Sequence, residues 1–104
     1  MTQAERAERV NQWIDKLLDK LEYIQTVDYT RKEMRLELAE WKRVTIKILR
    51  KDFVSLRVDD LTKTTQAVIS GSSDEDIRAK VYRMNLLRLK QQVVKDPGRV
   101  LKGH

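Results

Sequence analysis

Apolar residues recur at helical spacing in the first quarter of the chain. The stripe consists of Val10, Ile14, Leu17, Leu21 and Ile24. Successive members are four or three positions apart, so all of them lie on one face of a helix, and acidic side chains occupy the opposite face. The pattern predicts a first amphipathic helix over about residues 3–26.

A second stripe predicts a helix over about residues 31–57. Its apolar positions are Met34, Leu38, Trp41, Ile48, Leu49 and Leu56, with Thr45 and Asp52 as polar interruptions. Residues 44–58 also alternate and are rich in β-branched side chains, which is typical of a β-hairpin. The loop of that hairpin, residues 50–52, contains no Gly or Asn to adopt the positive φ of a short hairpin turn. The helix is therefore favoured, and the hairpin is the alternative.

A third long helix is predicted over about residues 73–95, and it carries two apolar stripes. The first consists of Ile77, Val81 and Met84, and the second of Tyr82, Leu86, Leu89 and Val93. A helix whose apolar face moves round midway contacts two different surfaces. A single three-helix bundle can supply both surfaces, or one of them can be another subunit. We favour another subunit, so the second stripe is the predicted oligomer interface.

Start signals and breakers support long helices. The Ser/Thr-x-x-Glu spacing of a capping box begins at Thr2, Thr30 and Ser72. No Gly occurs before Gly71, which argues against tight turns in the first two thirds of the chain. The Thr-rich stretch near residues 60–69 is a poor helix former, but a short helix is possible there.

These elements predict an all-α protein, a small antiparallel bundle of three main helices. The chain length fits one domain, which we assign to residues 1–96. Pro97 and Gly98 cannot continue the last helix, so residues 97–104 are expected to form a flexible basic tail.

The residues that enzymes use for nucleophilic catalysis are scarce. The chain has no Cys, its single His is the terminal His104, and it lacks a Gly-rich phosphate-binding loop. We therefore expect a protein that is not an enzyme and that uses no cofactor or metal. The lack of Cys suits a reducing compartment. No apolar run reaches the roughly 18 residues that a membrane span requires, so we expect a cytoplasmic protein without membrane contact.

Positive charge is unevenly distributed along the chain. The net charge is +6. Residues 29–58 hold nine Lys or Arg against four acids, and residues 77–104 hold eight against one, whereas residues 1–28 and 59–76 are acidic on balance. This alternation indicates basic surfaces that suit an acidic partner.

Two groups of cations are candidate nucleic-acid-binding residues. They are Arg43, Lys47, Arg50 and Lys51 on the second helix and Lys80, Arg83 and Lys90 on the last. Like charges one helical turn apart cost roughly 0.2–0.5 kcal/mol per pair, so a face that keeps them suits an anion, although a solvated surface is the alternative. No base-reading motif is present, which favours phosphate contacts that are independent of sequence.

Aromatic side chains offer a second kind of contact to nucleic acid. The candidates are Trp13, Trp41, Phe53 and Tyr82, which can stack on bases. The two Trp residues, however, fall on or beside the apolar stripes, so we expect them in the core.

Two functional hypotheses account for these features. The first is a non-enzymatic, oligomeric helical module whose basic surfaces contact nucleic acid without sequence preference. The alternative is a protein-only adaptor or assembly subunit that oligomerises through its last helix.

Overall fold

The computed structural model describes residues 2–64 and 74–102, and these ranges contain five helices and no β-strand. The helices are α1 (Gln3–Thr26), α2 (Arg31–Leu49), α3 (Val58–Thr62), α4 (Asp74–Lys95) and α5 (Pro97–Val100). The long helices α1, α2 and α4 pack on one another, α3 packs on α4, and α5 packs on α1 and α4. The chain is therefore the predicted all-α bundle. None of the described helices has both the length and the apolar character needed to cross a membrane.

Two of the three predicted capping boxes lie in the described part of the chain. The Thr2 hydroxyl accepts a hydrogen bond from the backbone N–H of Glu5 at 3.1 Å. Thr30 accepts in the same way from Glu33, whose carboxylate accepts in turn from the backbone N–H of Thr30. Such caps satisfy N–H groups that a helix start leaves unpaired. Ser72 lies outside the described residues.

Trp41 occupies the place where the three long helices meet. Its side chain is only 4% exposed, and its indole Nε1 donates a hydrogen bond to the backbone carbonyl of Leu17 in α1 at 2.9 Å. Its ring stacks on Tyr82 of α4, with ring centroids 5.4 Å apart and planes 17° from parallel. The predicted core position of Trp41 is therefore confirmed, and one side chain contacts both partner helices.

The second helix ends at Leu49, well before the predicted residue 57. The backbone carbonyl of Leu49 accepts from the N–H groups of Asp52 and Phe53, which closes a turn. That turn brings Phe53 and Leu56 into the core, where both are buried. It also places the Asp52 carboxylate 3.5 Å from the guanidinium of Arg6 in α1. Residues 50–57 form neither the long helix nor the hairpin. The turn is favoured because it buries Phe53 and Leu56 and pairs Asp52 with Arg6.

The short helix α3 begins earlier than expected, and a buried amide holds its end. Leu61 of α3 is fully buried. The Asn85 side-chain amide of α4 donates to the backbone carbonyls of Leu61 and Lys63 at 2.7 and 2.8 Å, which satisfies the free carbonyls at the helix end. Residues 65–69 of the predicted short helix lie outside the described part of the chain.

The second apolar stripe of α4 lies inside the protein's own core, and the first is buried at Val81 and packs against the core at Ile77 and Met84. Tyr82, Leu86, Leu89 and Val93 are all buried, and so is Val81 of the first stripe. Because α4 contacts α3 and α5 as well as α1 and α2, one chain provides both of the surfaces that the stripes require. The assignment of the second stripe to an oligomer interface is therefore wrong.

Residues 97–102 pack against the turn after α2 and do not form a loose tail. Pro97 stands at the start of α5, where its missing N–H costs nothing. Leu101 is 5% exposed and forms an antiparallel bridge with Phe53. The N–H of Lys102 donates to the carbonyl of Asp52 at 2.7 Å. The flexible-tail prediction is wrong for these residues because Leu101 completes the core.

A buried carboxylate joins the start of α4 to α2. Glu75 is buried, and its carboxylate lies 3.2 Å from the guanidinium of Arg35, which is itself largely exposed. A hydrogen bond from its own backbone N–H, followed by the hydrogen bond and charge of Arg35, lowers the pKa of Glu75 from its ordinary value of 4.5 against the opposing effect of burial. Folding therefore favours the ionised form.

Leu101→Ala is expected to lower the free energy of unfolding by about 2 kcal/mol or more, because it leaves a cavity beside Phe53. Urea unfolding followed by circular dichroism measures this. Lys102→Ala, which removes an exposed side chain and keeps the backbone hydrogen bond, is the matched control. Equal unfolding midpoints for the two variants would contradict packing of the C-terminal segment.

Glu75→Gln is expected to reduce the loss of stability in acid. The lowered pKa of Glu75 means that its carboxylate stabilises the fold above pH 4.5 and that this contribution is lost as the pH falls through the folded-state pKa. Urea midpoints between pH 7 and pH 3 should therefore fall less steeply for Glu75→Gln than for the wild type. Glu8→Gln, at an exposed position of α1, is the control. If the urea midpoint of Glu75→Gln falls with pH as steeply as that of the wild type, the stabilising role of the Glu75 carboxylate is contradicted.

Candidate nucleic-acid interface

Three basic side chains of α2 and Arg50, the residue that caps its C-terminus, line a groove between α2 and the start of α3. The lining consists of Lys42, Arg43, Lys47 and Arg50 together with Ala39, Ile46 and Val58. The groove has a volume of about 580 Å³. Ile46 is buried and forms an apolar floor, whereas Val58 is 43% exposed at the opposite edge. The groove therefore has a row of cations beside an apolar surface.

Two of the four cations are held by contacts within the fold. The Arg50 Nε donates to the backbone carbonyl of Leu56 at 3.3 Å, which fixes its guanidinium at the end of the groove. Arg43 forms an exposed ion pair with Glu40 at 2.6 Å, and this hydrogen bond and charge raise the Arg43 pKa further. Glu40 therefore offsets part of the positive charge on this face.

The other two cations, Lys42 and Lys47, make no ion pair with any residue in the ranges 2–64 and 74–102. Lys47 is exposed and lies one turn from both Arg43 and Lys51. Each like-charge pair costs roughly 0.2–0.5 kcal/mol in a helix. Because exposed ion pairs are worth about 0–1 kcal/mol, the Glu40 contact does not remove this repulsion across the face.

The structure therefore brings together three of the four predicted α2 residues. Lys51 follows the helix in the turn and does not line the groove. Lys42 was missed because it stands between the apolar stripe and the basic face on the helical wheel. Val58 was missed because the turn that returns the chain to α2 was not predicted. Residues 50–57 contain no Gly or Pro and only one β-branched residue, Val54, so their composition gave no clear signal for that turn.

The predicted cations of α4 have a different role. Lys90 Nζ lies 2.6 Å from Asp15 Oδ1, and Arg83 donates to Gln25 Oε1 at 2.9 Å, so both side chains join α4 to α1. Lys80 is exposed. None of the three lines the α2 groove. Two of these predicted contacts with nucleic acid are therefore already used within the bundle.

Trp13 is the exception between the two Trp residues assigned to the core. Trp41 is buried as expected, and Phe53 and Tyr82 are buried as well, but Trp13 is 40% exposed. The α1 stripe beside it is already filled by smaller aliphatic side chains, which leaves the indole at the edge of the bundle. The Lys16 Nζ lies over the Trp13 ring, 4.9 Å from its centroid, at a distance typical of a cation–π contact.

A second exposed aromatic–lysine pair lies at the other end of α1. Tyr23 is 53% exposed, and the Lys20 Nζ lies 4.9 Å from its ring centroid. Lys20 also lines a small cavity between α1 and α2 with the acids Glu37 and Glu40. The surroundings of this pair are therefore acidic, in contrast to the basic face of α2.

Comparison of the chain with protein-family models, curated proteins and solved structures finds no match. Geometry and charge therefore carry the functional interpretation. In the described ranges, no three His, Cys, Asp or Glu side chains come together as a potential metal site. The groove offers cations suited to phosphate oxygens, and its charge is displayed along one helix face.

Proposed function

We propose that the protein is a non-enzymatic helical module that binds nucleic acid through the α2 groove without sequence preference. The observation that carries the proposal is the groove itself, in which three cations of α2 and its C-cap residue Arg50 line the same open surface. The lack of Cys fits the cytoplasmic location that we propose with it.

The groove cations do not hold the bundle together through ion pairs. The ion pairs between elements involve other cations, namely Arg6, Arg9, Arg35 and Lys90. Lys42 and Lys47 add positive charge to α2 without a partner in the described part of the chain. An anion that approaches this face relieves the repulsion between like charges, which favours binding over leaving the face solvated.

The nature of the cations favours backbone contact over base reading. Lysine presents a mobile point charge, and Arg43 and Arg50 present forked donors that suit phosphate oxygens. Contacts to phosphates position a protein on nucleic acid but carry no sequence information. Binding through this face is therefore expected to be electrostatic and tolerant of sequence.

The residues on which the adaptor hypothesis was based are not exposed. Its interface, Tyr82 with Leu86, Leu89 and Val93, lies in the core of the single chain. The exposed large apolar side chains are distributed over α1, α2, the turn after α2, α3 and α4, and scattered exposed apolar residues are normal on a protein surface. Charge on the α2 face is the stronger functional signal.

Binding should weaken steeply with salt, because each neutralised phosphate of duplex DNA releases about 0.9 of a counterion. Four contacts predict a slope of log affinity against log salt of about −3.6, hence a loss of roughly two orders of magnitude between 50 and 200 mM salt. Fluorescence anisotropy with two duplexes of unrelated sequence measures both slope and sequence tolerance. No binding at low salt would contradict the proposal.

The double variant Lys42→Ala/Lys47→Ala is expected to reduce that slope by about 2, because two phosphate contacts are lost. Its stability should be unchanged or slightly higher, since like-charge contacts on α2 are relieved. The control is Lys32→Ala/Lys102→Ala, which removes the same charge at exposed positions outside the groove. Equal losses in both double variants would show a general charge effect and contradict a groove site.

A further inference from the structure

The two arginines that line the α2 groove are held by different partners. Arg50 donates a hydrogen bond from Nε to the backbone carbonyl of Leu56 at 3.3 Å. Arg43 donates from Nε to Glu40 Oε2 at 3.2 Å and from Nη2 to Glu40 Oε1 at 2.6 Å. These contacts occupy different parts of the two guanidinium groups, so they leave different donors for an anion.

Arg50 keeps the two terminal nitrogens of its guanidinium for a ligand. A guanidinium has five N–H donors, one on Nε and two on each Nη. The Leu56 carbonyl takes the Nε–H, and no carboxylate in the ranges 2–64 and 74–102 forms an ion pair with Arg50. Nη1 and Nη2 form a planar fork that suits two oxygens of one phosphate. Arg50 can therefore bind a phosphate and keep its contact with Leu56.

The fork of Arg43 is already occupied. Its Nε and Nη2 donate to the two oxygens of Glu40, which is the bidentate geometry that a phosphate would adopt. A phosphate that uses this fork has to displace the carboxylate first. Arg43 is therefore the weaker phosphate ligand of the two, although its charge still acts on the groove.

Arg50 is also fixed before a ligand arrives. Its backbone N–H continues α2 by donating to the carbonyl of Ile46 at 3.0 Å, and Leu56, which holds its side chain, is itself buried. A side chain that is already held loses less conformational entropy on binding than a free one. Lys42 and Lys47 make no ion pair within the described ranges that would hold them in the same way.

We propose that Arg50 is the phosphate anchor of the groove and binds two oxygens of one phosphate through Nη1 and Nη2, while Glu40 withholds the fork of Arg43. The inference rests on the proposed nucleic-acid function of the groove and names the residue that determines its geometry. The lysines add charge, which a mobile ammonium supplies without fixed direction. Removal of Glu40 makes a second anchor available.

A purely structural role of Arg50 makes a different prediction. Arg50 caps the C-terminus of α2, where a cation interacts favourably with the helix dipole. If its hydrogen bond to Leu56 served only to hold the turn, its replacement would lower stability and leave the affinity of the folded protein unchanged. Measurements of both stability and affinity therefore separate the two roles.

The test compares Arg50→Lys with Arg43→Lys, which both keep the charge, in binding to a short duplex at 50 mM salt by fluorescence anisotropy. Arg50→Lys is expected to weaken binding about threefold to tenfold, because the fixed fork is lost. The salt slope should not change, since it depends on the number of charges. Arg43→Lys should weaken binding less than twofold. Urea unfolding shows how much of each variant is folded under the assay conditions.

The role of Glu40 is tested by repeating Arg43→Lys in a second background. In Glu40→Gln the fork of Arg43 is free, so Arg43→Lys should now weaken binding about threefold or more. Glu37→Gln, which removes the same charge one turn earlier in α2, is the control background. There the effect of Arg43→Lys should stay below twofold.

Side-chain NMR of the wild type supplies a readout that does not depend on the folding of a variant. On addition of the duplex, the Nη signals of Arg50 should shift, whereas its Nε–H signal should change little because the bond to Leu56 is kept. The Nε–H signal of Arg43 should also change little, since Glu40 remains its partner.

The possible failures are distinguishable. If the wild type does not bind the duplex at low salt, the proposed function itself is overturned. If it binds and Arg50→Lys binds equally well, or Arg50→Lys and Arg43→Lys lose affinity equally, groove binding stands and the anchor role of Arg50 is overturned. The anchor role is also overturned if signals of other groove residues shift while the Arg50 Nη signals do not.

Discussion

The contact of Trp41 with Leu17 and Tyr82 determines how the bundle is arranged. Its indole N–H bonds to a backbone carbonyl of α1, and its ring stacks on α4, so one side chain fixes α2 against both neighbours. A buried indole N–H without an acceptor costs free energy, so this hydrogen bond favours one register over others. That register decides which residues of α1 and α2 face each other and which face outward.

This arrangement decides which cations take part in contacts between helices and which do not. Arg35 of α2 pairs with Glu75 of α4, and Lys90 of α4 pairs with Asp15 of α1, so both join two helices. The outer face of α2 points away from α1 and α4, and its groove cations make no such inter-element ion pair within the described ranges. We propose that the positive charge on this face serves binding, whereas Arg83 and Lys90 of α4 join α4 to α1.

The sequence predicted the features that depend on local pattern. The α1 stripe, the caps at Thr2 and Thr30 and the core position of Trp41 all follow from spacing and residue type. The end of α2 does not follow from local pattern. The turn there includes the contact of Asp52 with Arg6, which is 46 positions away along the chain. Leu101 is similar, since Pro97 and Gly98 correctly predict the end of α4 but do not reveal a bridge to Phe53.

Periodicity likewise does not show which elements cover an apolar stripe. The second stripe of α4 is as regular as an interface, and only the tertiary structure shows that it is buried within the single chain, with Tyr82 stacked on Trp41. The candidate site was predicted in part for the same reason. Arg43, Lys47 and Arg50 share a helix face, but the groove requires the chain to turn back at Val58. Exposure of Trp13 depends on neighbours that the helical wheel does not include.

The central claim is that the anion-binding surface that we propose lies on the outer side of α2, separate from the Trp41 core. Two-dimensional nitrogen–proton NMR with an oligonucleotide tests it most directly, since it reports the amides of the groove face and the indole N–H of Trp41 separately. We expect shifts of amides on the groove face of α2, with the Trp41 indole unchanged. Shifts centred on the exposed α4 residues Leu87 and Val94, with the groove unchanged, would contradict the claim.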